Sequence, residues 1–205
     1  MKRLLVLASA LLLAACSSMP SWMPGSGWKT LIDGDKGLEN FDRVGDANWR
    51  AQDGAIVADK AAGNSYLVTK NAYKDFQIRA EFWADHNTNS GVFLRLQDRK
   101  KIGADNAYEV NIYDKRPGPE YGTAAIVNFA KVPVPPKYLA GGKWNTFEIT
   151  AKGSNLVVVF NGEKTVDIQE GKFPQGPFAL QFGNLAPNNA PGGAIKFRKV
   201  QIREL

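Results

Sequence analysis

The 205-residue chain contains one cysteine and one histidine. A single cysteine cannot close an intrachain disulfide or build a Cys-type zinc site, and a single histidine excludes a His-rich one. No Gly-x-Ser-x-Gly elbow occurs, so His86 lacks the serine partner of a hydrolase triad. The stretch "GAIVADKAAG" lacks the lysine spacing of a phosphate loop, and nothing else implies an organic cofactor. Oxygen ligands from Asp, Glu and Asn leave a divalent cation open. Long apolar runs are also missing. The one present, Leu4 to Leu13, is shorter than the roughly 20 residues a membrane-spanning helix needs. No segment keeps helical spacing beyond a turn or two.

What is present begins with an address. Lys2 and Arg3, the apolar run and small residues leading to Cys16 read as a secretory signal over residues 1–15. Leu13-Ala14-Ala15-Cys16 matches the bacterial lipobox, which predicts cleavage before Cys16 and acylation of its thiol. Several acyl chains hold a protein on a membrane more firmly than one. Ser17, rather than Asp, favours the outer membrane within the cell envelope. Residues 16–27 form a Pro/Gly/Ser tether, and residues 28–205 have the length of one domain with a sizeable core. Without residues 1–15 the chain carries 24 Lys+Arg against 20 Asp+Glu, a net of +4. That mild, dispersed excess suits anionic envelope polymers and gives no nucleic-acid footprint.

The domain reads as β almost throughout. Alternating or β-branched runs such as "DFQIRAEFWAD", "AYEVNIYD", "TAAIVNF" and "NLVVVFNG" are separated by turn residues. Asn161-Gly162 is the strongest hairpin signal. In the last segment the apolar register slips between Phe197 and Val200, which predicts a β-bulge near Arg198-Lys199. A dozen or so short strands predict an all-β, two-sheet jelly-roll sandwich.

Alternation assigns the faces. Phe76, Ile78, Ala80 and Phe82 point inward, leaving Glu81 and Trp83 outside; Val92 and Leu94 leave Phe93 and Arg95. Val110 and Ile112 leave Glu109, Asn111 and Tyr113, and Leu180 leaves Gln181. These outward sets mix aromatics with planar hydrogen-bonding groups. Pyranoses select that mixture, offering C–H patches to rings and hydroxyls to polar side chains. A solvated face with scattered aromatics is the alternative. Glu109 and Asp114 form a carboxylate pair of the general kind glycoside cleavage uses.

"GWKTLIDG", "NWRAQDGAIV", "YKDFQIRAEFWADHNTNSGVFLR", "AYEVNIYD", "GKWNTFEITAKG", "GPFALQFG" and "IKFRKVQIREL" stand in the order and spacing of one family. The chain resembles the 3-keto-disaccharide hydrolase domain family. The resemblance implies a concanavalin-like jelly roll acting on glycosides whose C3 hydroxyl is oxidised to a ketone. Glu109 and Asp114 are the acidic candidates it implies, and Arg95 and Asn89 would hold substrate oxygens. The chain has no histidine after "LQ" in its penultimate strand, where many members have one, and His86 is the substitute available. A non-catalytic carbohydrate-binding protein on the same scaffold is the alternative function.

Overall fold

Asn161 and Gly162 take φ of 49° and 85°, the left-handed pair that a two-residue type I′ turn requires. They join β10 (Asn155–Phe160) to β11 (Glu163–Gln169), with Phe160 and Glu163 as the last paired residues. A computed structural model describes residues 27–185, 190 and 192–205. The signal, Cys16 and all of the tether but Gly27 lie outside the described residues.

The remaining strands are β1 (Lys29–Asp33), β2 (Phe41–Val44), β3 (Arg50–Gln52), β4 (Ala55–Ala58), β5 (Ser65–Thr69) and β6 (Phe76–Ala84). They continue as β7 (Ser90–Leu94), β8 (Tyr108–Ile112), β9 (Trp144–Lys152), β12 (Ala179–Phe182) and β13 (Ile195–Glu204). Two short 3-10 turns are the only helical elements among the described residues. One antiparallel sheet has eight strands in the order β11-β10-β9-β6-β13-β4-β3, with β1 also paired to β13. The other has five, ordered β2-β5-β12-β7-β8. The two sheets face each other across one core. Phe82, Phe147 and Phe197 come from the larger sheet, and Leu67, Val110 and Phe182 from the smaller. The expected two-sheet sandwich is present.

Burial shows how the sheets differ. β6 alternates buried and half-buried residues along its whole length, so its outer face is wet. In β5, β7, β8 and β12 every residue is buried. The smaller sheet is therefore covered on both faces. On its outer side Tyr66, Val68, Phe93 and Ala179 pack with Leu96 and Ala107, which flank the β7–β8 connection.

Two local expectations fail, each for a backbone reason. Residues 123–129 do not form a regular strand, because Ala124 and Asn128 take φ of 71° and 69°. The segment still shields the edge of β8, through Asn111 N–H to Ala125 O at 3.0 Å and Val127 N–H to Glu109 O at 3.0 Å. Arg95 follows β7 with φ of 52°, and that left-handed residue inverts the alternation. Arg95 turns away from the outer face and Leu96 joins the outer cluster in its place. The β13 bulge falls where expected, as a register shift between Phe197 and Lys199.

Candidate functional site

The outer face of the five-stranded sheet is built by register. Gln181 lies opposite Tyr66, Ala179 opposite Phe93, Phe93 opposite Glu109, and Gly91 opposite Asn111. Alternation keeps all of these on the side away from Leu180, Val92 and Val110. Gly91 has no side chain where its neighbours have large ones. A Cβ there would lie 3.1 Å from Val110 O, 3.4 Å from Glu109 Cγ and 3.5 Å from the Phe93 ring. The backbone at Gly91 thus packs directly against the Glu109 side chain and the Phe93 ring, with no room for a side chain of its own.

This face is rich in acceptors. Asn111 donates through Nδ2 to Tyr121 O at 2.6 Å, and Gln181 through Nε2 to Tyr66 Oη at 3.4 Å. Their buried carbonyl oxygens, Asn111 Oδ1 and Gln181 Oε1, accept nothing among the described residues. Among those residues no donor reaches the Glu109 carboxylate either, although its side chain is 8% exposed. Burial pushes the Glu109 carboxyl from about 4.5 up to about 7, and the charge of Arg116 pulls it partly back. Burial likewise pushes the Tyr66 phenol up to about 12, opposed by the Gln181 hydrogen bond and reinforced by Glu109. The face therefore buries two acceptors without protein donors, Asn111 Oδ1 and Gln181 Oε1, beside an unbonded carboxylate, and it suits a hydrogen-bond donor from water or a ligand hydroxyl.

Of the residues expected at the site, Glu109, Asn111 and Gln181 share this face. Arg95 does not, which corrects its expected role. It is 1% exposed, and its guanidinium donates to Lys74 O at 2.9 Å, Gly153 O at 2.8 Å and Phe173 O at 3.2 Å. It also pairs with Asp75 at 3.2 Å. The left-handed backbone turns it toward loops on the opposite side, where it holds three chain segments together. Glu81 and Trp83 lie on β6 in the larger sheet, so the whole core separates them from Glu109. Their alternation was legible, but sheet membership was not.

Asp114 is committed to a loop. Its carboxylate accepts from Thr123 Oγ1 at 2.6 Å, Ala140 N at 2.9 Å and Gly141 N at 2.8 Å. His86 is exposed beside the same loop. A Cβ on Gly141 would fall 2.6 Å from His86 Nδ1 and 3.2 Å from Asp114 Oδ2. Neither is placed against the Glu109 carboxylate as a catalytic partner. Tyr113 is buried past the end of β8, its N–H donating to Thr123 Oγ1. Asn89 stands at the start of β7 and donates to Asn184 O at 2.6 Å, tying β7 to the end of β12. Among the described residues no three of His, Cys, Asp and Glu cluster as a metal site.

The structure adds Tyr66, Phe93, Gly91 and Arg116. Phe93 was visible as an outward aromatic. Tyr66 and Gly91 needed strand order, and Arg116 sits in a loop that no periodicity could place.

A model of the 3-keto-alpha-glucoside-1,2-lyase-like domain matches residues 27–203. The chain belongs to this family. Lyase-like membership covers nearly everything beyond the tether, so both sheets fall inside the match. A Parabacteroides distasonis structure provisionally named a glycosyl hydrolase is 25% identical, with 87% of this chain and 99% of that one covered and a TM-score of 0.66. The carbohydrate-binding module CBM66 of Bacillus subtilis is 16% identical over 87% and 96% of the two chains, with a TM-score of 0.55. The lumenal domain of VIP36, seen with Ca2+ and Man3GlcNAc, is 12% identical over 86% and 88%, with a TM-score of 0.60. The last two share the fold. No curated protein matches the chain.

Proposed function

We propose that the chain is an envelope lipoprotein, acylated at Cys16, that cleaves 3-keto-glycosides by elimination across C1 and C2 with Glu109 as the base. The observation that carries this reading is the buried Glu109 carboxylate, packed beside Gly91 and the Phe93 ring and set among acceptors that lack donors. Sugar hydroxyls would supply those donors. The family description, a 1,2-lyase-like domain acting on 3-keto-alpha-glucosides, names the same bond.

A C3 ketone acidifies the proton on C2. Glu109, with its carboxyl near 7, is ionised in a useful fraction at neutral pH and basic enough to take that proton. The electron pair moves onto the C3 oxygen as an enolate, and the charge of Arg116 favours it. Collapse forms the C1=C2 bond and breaks the bond from C1 to the leaving oxygen. The protonated Glu109 then returns its proton to that oxygen. Addition of water across C1=C2 completes a net hydrolysis. No step uses Asp114, His86 or Arg95.

Incubating the protein with a 3-keto-glucoside, with and without a divalent cation, and following release of the aglycone tests the reading. Release by the wild type and a loss of about 10² or more in Glu109→Gln are expected. Sugar binding without release under every condition replaces the enzyme with a carbohydrate-binding protein. That second reading draws on one observation: neither Asp114 nor His86 supplies Glu109 with an acid partner.

A further inference from the structure

Glu81, Trp83 and the bulge at Arg198-Lys199 belong to the outer face of the eight-stranded sheet, which the proposed chemistry leaves unused. Trp83 on β6 lies directly opposite Trp144 on β9, and Trp144 is 38% exposed. Lys196 sits 4.8 Å over the Trp83 ring, and Arg198 4.3 Å over the Trp144 ring. Further along the face, Trp28 lies between Arg79 at 4.4 Å and Arg203 at 4.9 Å. The bulge explains the density of charge. Phe197 and Val200 are both buried in the core, so the extra residue leaves Arg198 and Lys199 side by side on the outer face. The carboxylates around these cations are Glu81, paired with Arg198 at 2.6 Å, Glu148, paired with Arg79 at 3.1 Å, and Asp33, 3.9 Å from Lys199. Five cations thus meet three carboxylates, a surplus of two.

We infer that this face docks on a bilayer containing anionic phospholipid. Indoles ringed by Lys and Arg suit the interface, where the ring sits among headgroups and the cation reaches phosphate. A glycan chain would need bare ring faces for stacking, and here cations already cover them. The chain also enters the described structure on this face, at Trp28. If Cys16 is acylated as proposed, only residues 17–26 separate the lipid from Gly27. That tether reaches at most roughly 3.5 Å per residue, about 35 Å in all, so it lets the face at Trp28 rest on the membrane without forcing it there. Glu109, across the core, would then look away from the lipid toward substrate.

Every described element lies between Gly27 and Leu205, so the chain from Ser17 onward keeps the sandwich and removes both signal and acyl group. Sedimentation of this chain with vesicles tests the face independently of acylation and of catalysis. Vesicles of phosphatidylcholine with 30% phosphatidylglycerol, as an order-of-magnitude composition, should bind at least about tenfold more tightly than pure phosphatidylcholine, from about fivefold per surplus charge. Trp83→Ala/Trp144→Ala should lose about tenfold, and Arg198→Glu/Lys199→Glu, which reverses the surplus, should abolish the preference for anionic vesicles, while circular dichroism keeps its β signature in both. Glu148→Gln removes a repelling carboxylate and should tighten binding about fivefold, which guards against a variant that merely unfolds. Equal affinity for both vesicle types, or no binding to either, overturns the inference. So does sedimentation with isolated peptidoglycan that these same substitutions abolish.

Discussion

Replacing Glu109 with glutamine should stabilise the protein at alkaline pH while removing its proposed activity. The carboxyl moves from about 4.5 to about 7 on folding, because burial on the outer face of the five-stranded sheet disfavours the charge. Since the folded state holds this proton more tightly, the contribution of Glu109 to stability is fully present below about 4.5 and is lost as pH rises through about 7. The displacement corresponds to about 3 kcal/mol, lost in full by pH 8. Glutamine does not titrate, so the variant escapes that loss. Its amide can also donate toward Asn111 Oδ1 or Gln181 Oε1, an offset that does not depend on pH. The pH-dependent part of the difference is therefore the informative quantity. For a chain of this size about 3 kcal/mol moves the melting temperature by roughly 6–12 °C. Thermal and urea unfolding of both proteins at pH 4.5, 6 and 8 measures it. A gap that widens by a few kcal/mol from pH 4.5 to 8 is expected. A constant gap would show that Glu109 is not buried as a costly charge.

Arg95→Ala should destabilise the protein by about 3–5 kcal/mol in urea unfolding, because it strips the carbonyls of Lys74, Gly153 and Phe173 of donors and takes from Asp75 its cationic partner, leaving it the Gly153 N–H. A loss under 1 kcal/mol would restore it as a candidate ligand residue. Gly91→Val should crowd Val110 O, Glu109 Cγ and the Phe93 ring and destabilise the protein by about 1–3 kcal/mol in urea unfolding; unchanged stability would show that β7 and β8 are not packed this closely. Arg116→Gln removes the charge that holds the Glu109 carboxyl down. The acidic limb of kcat/KM should therefore move to higher pH, and a limb that stays or falls would remove Arg116 from the site.

Alternation was readable wherever a strand ran uninterrupted. The inward sets of β6, β8 and β12 were legible, and so were the Asn161-Gly162 hairpin and the Phe197 register slip. Fixing Phe76, Ile78, Ala80 and Phe82 on one side follows from period two alone. Sheet membership does not. Trp83 and Glu109 both read as outward, yet outward from β6 and outward from β8 are opposite sides of the molecule. Arg95 was misplaced because one left-handed φ reverses the alternation, and a non-glycine residue gives no warning of it. Asp114 looked catalytic by spacing, although its oxygens are occupied by backbone amides from residues 140 and 141, which no local pattern could reveal. Gly91 matters through the neighbours that β8 brings beside it, which no local pattern could show.

The central claim is that Glu109 takes the C2 proton of a 3-keto-glycoside, and exchange of that proton tests it most directly. A 3-keto-glucoside incubated with the protein in D2O is followed by NMR for deuterium at C2 in recovered substrate and product. The account predicts deuterium at C2 with the wild type, at a rate that rises as pH passes through about 7, and a loss of at least about 10² in Glu109→Gln. Aglycone release with C2 remaining fully protiated, or exchange at the wild-type rate in Glu109→Gln, would contradict it.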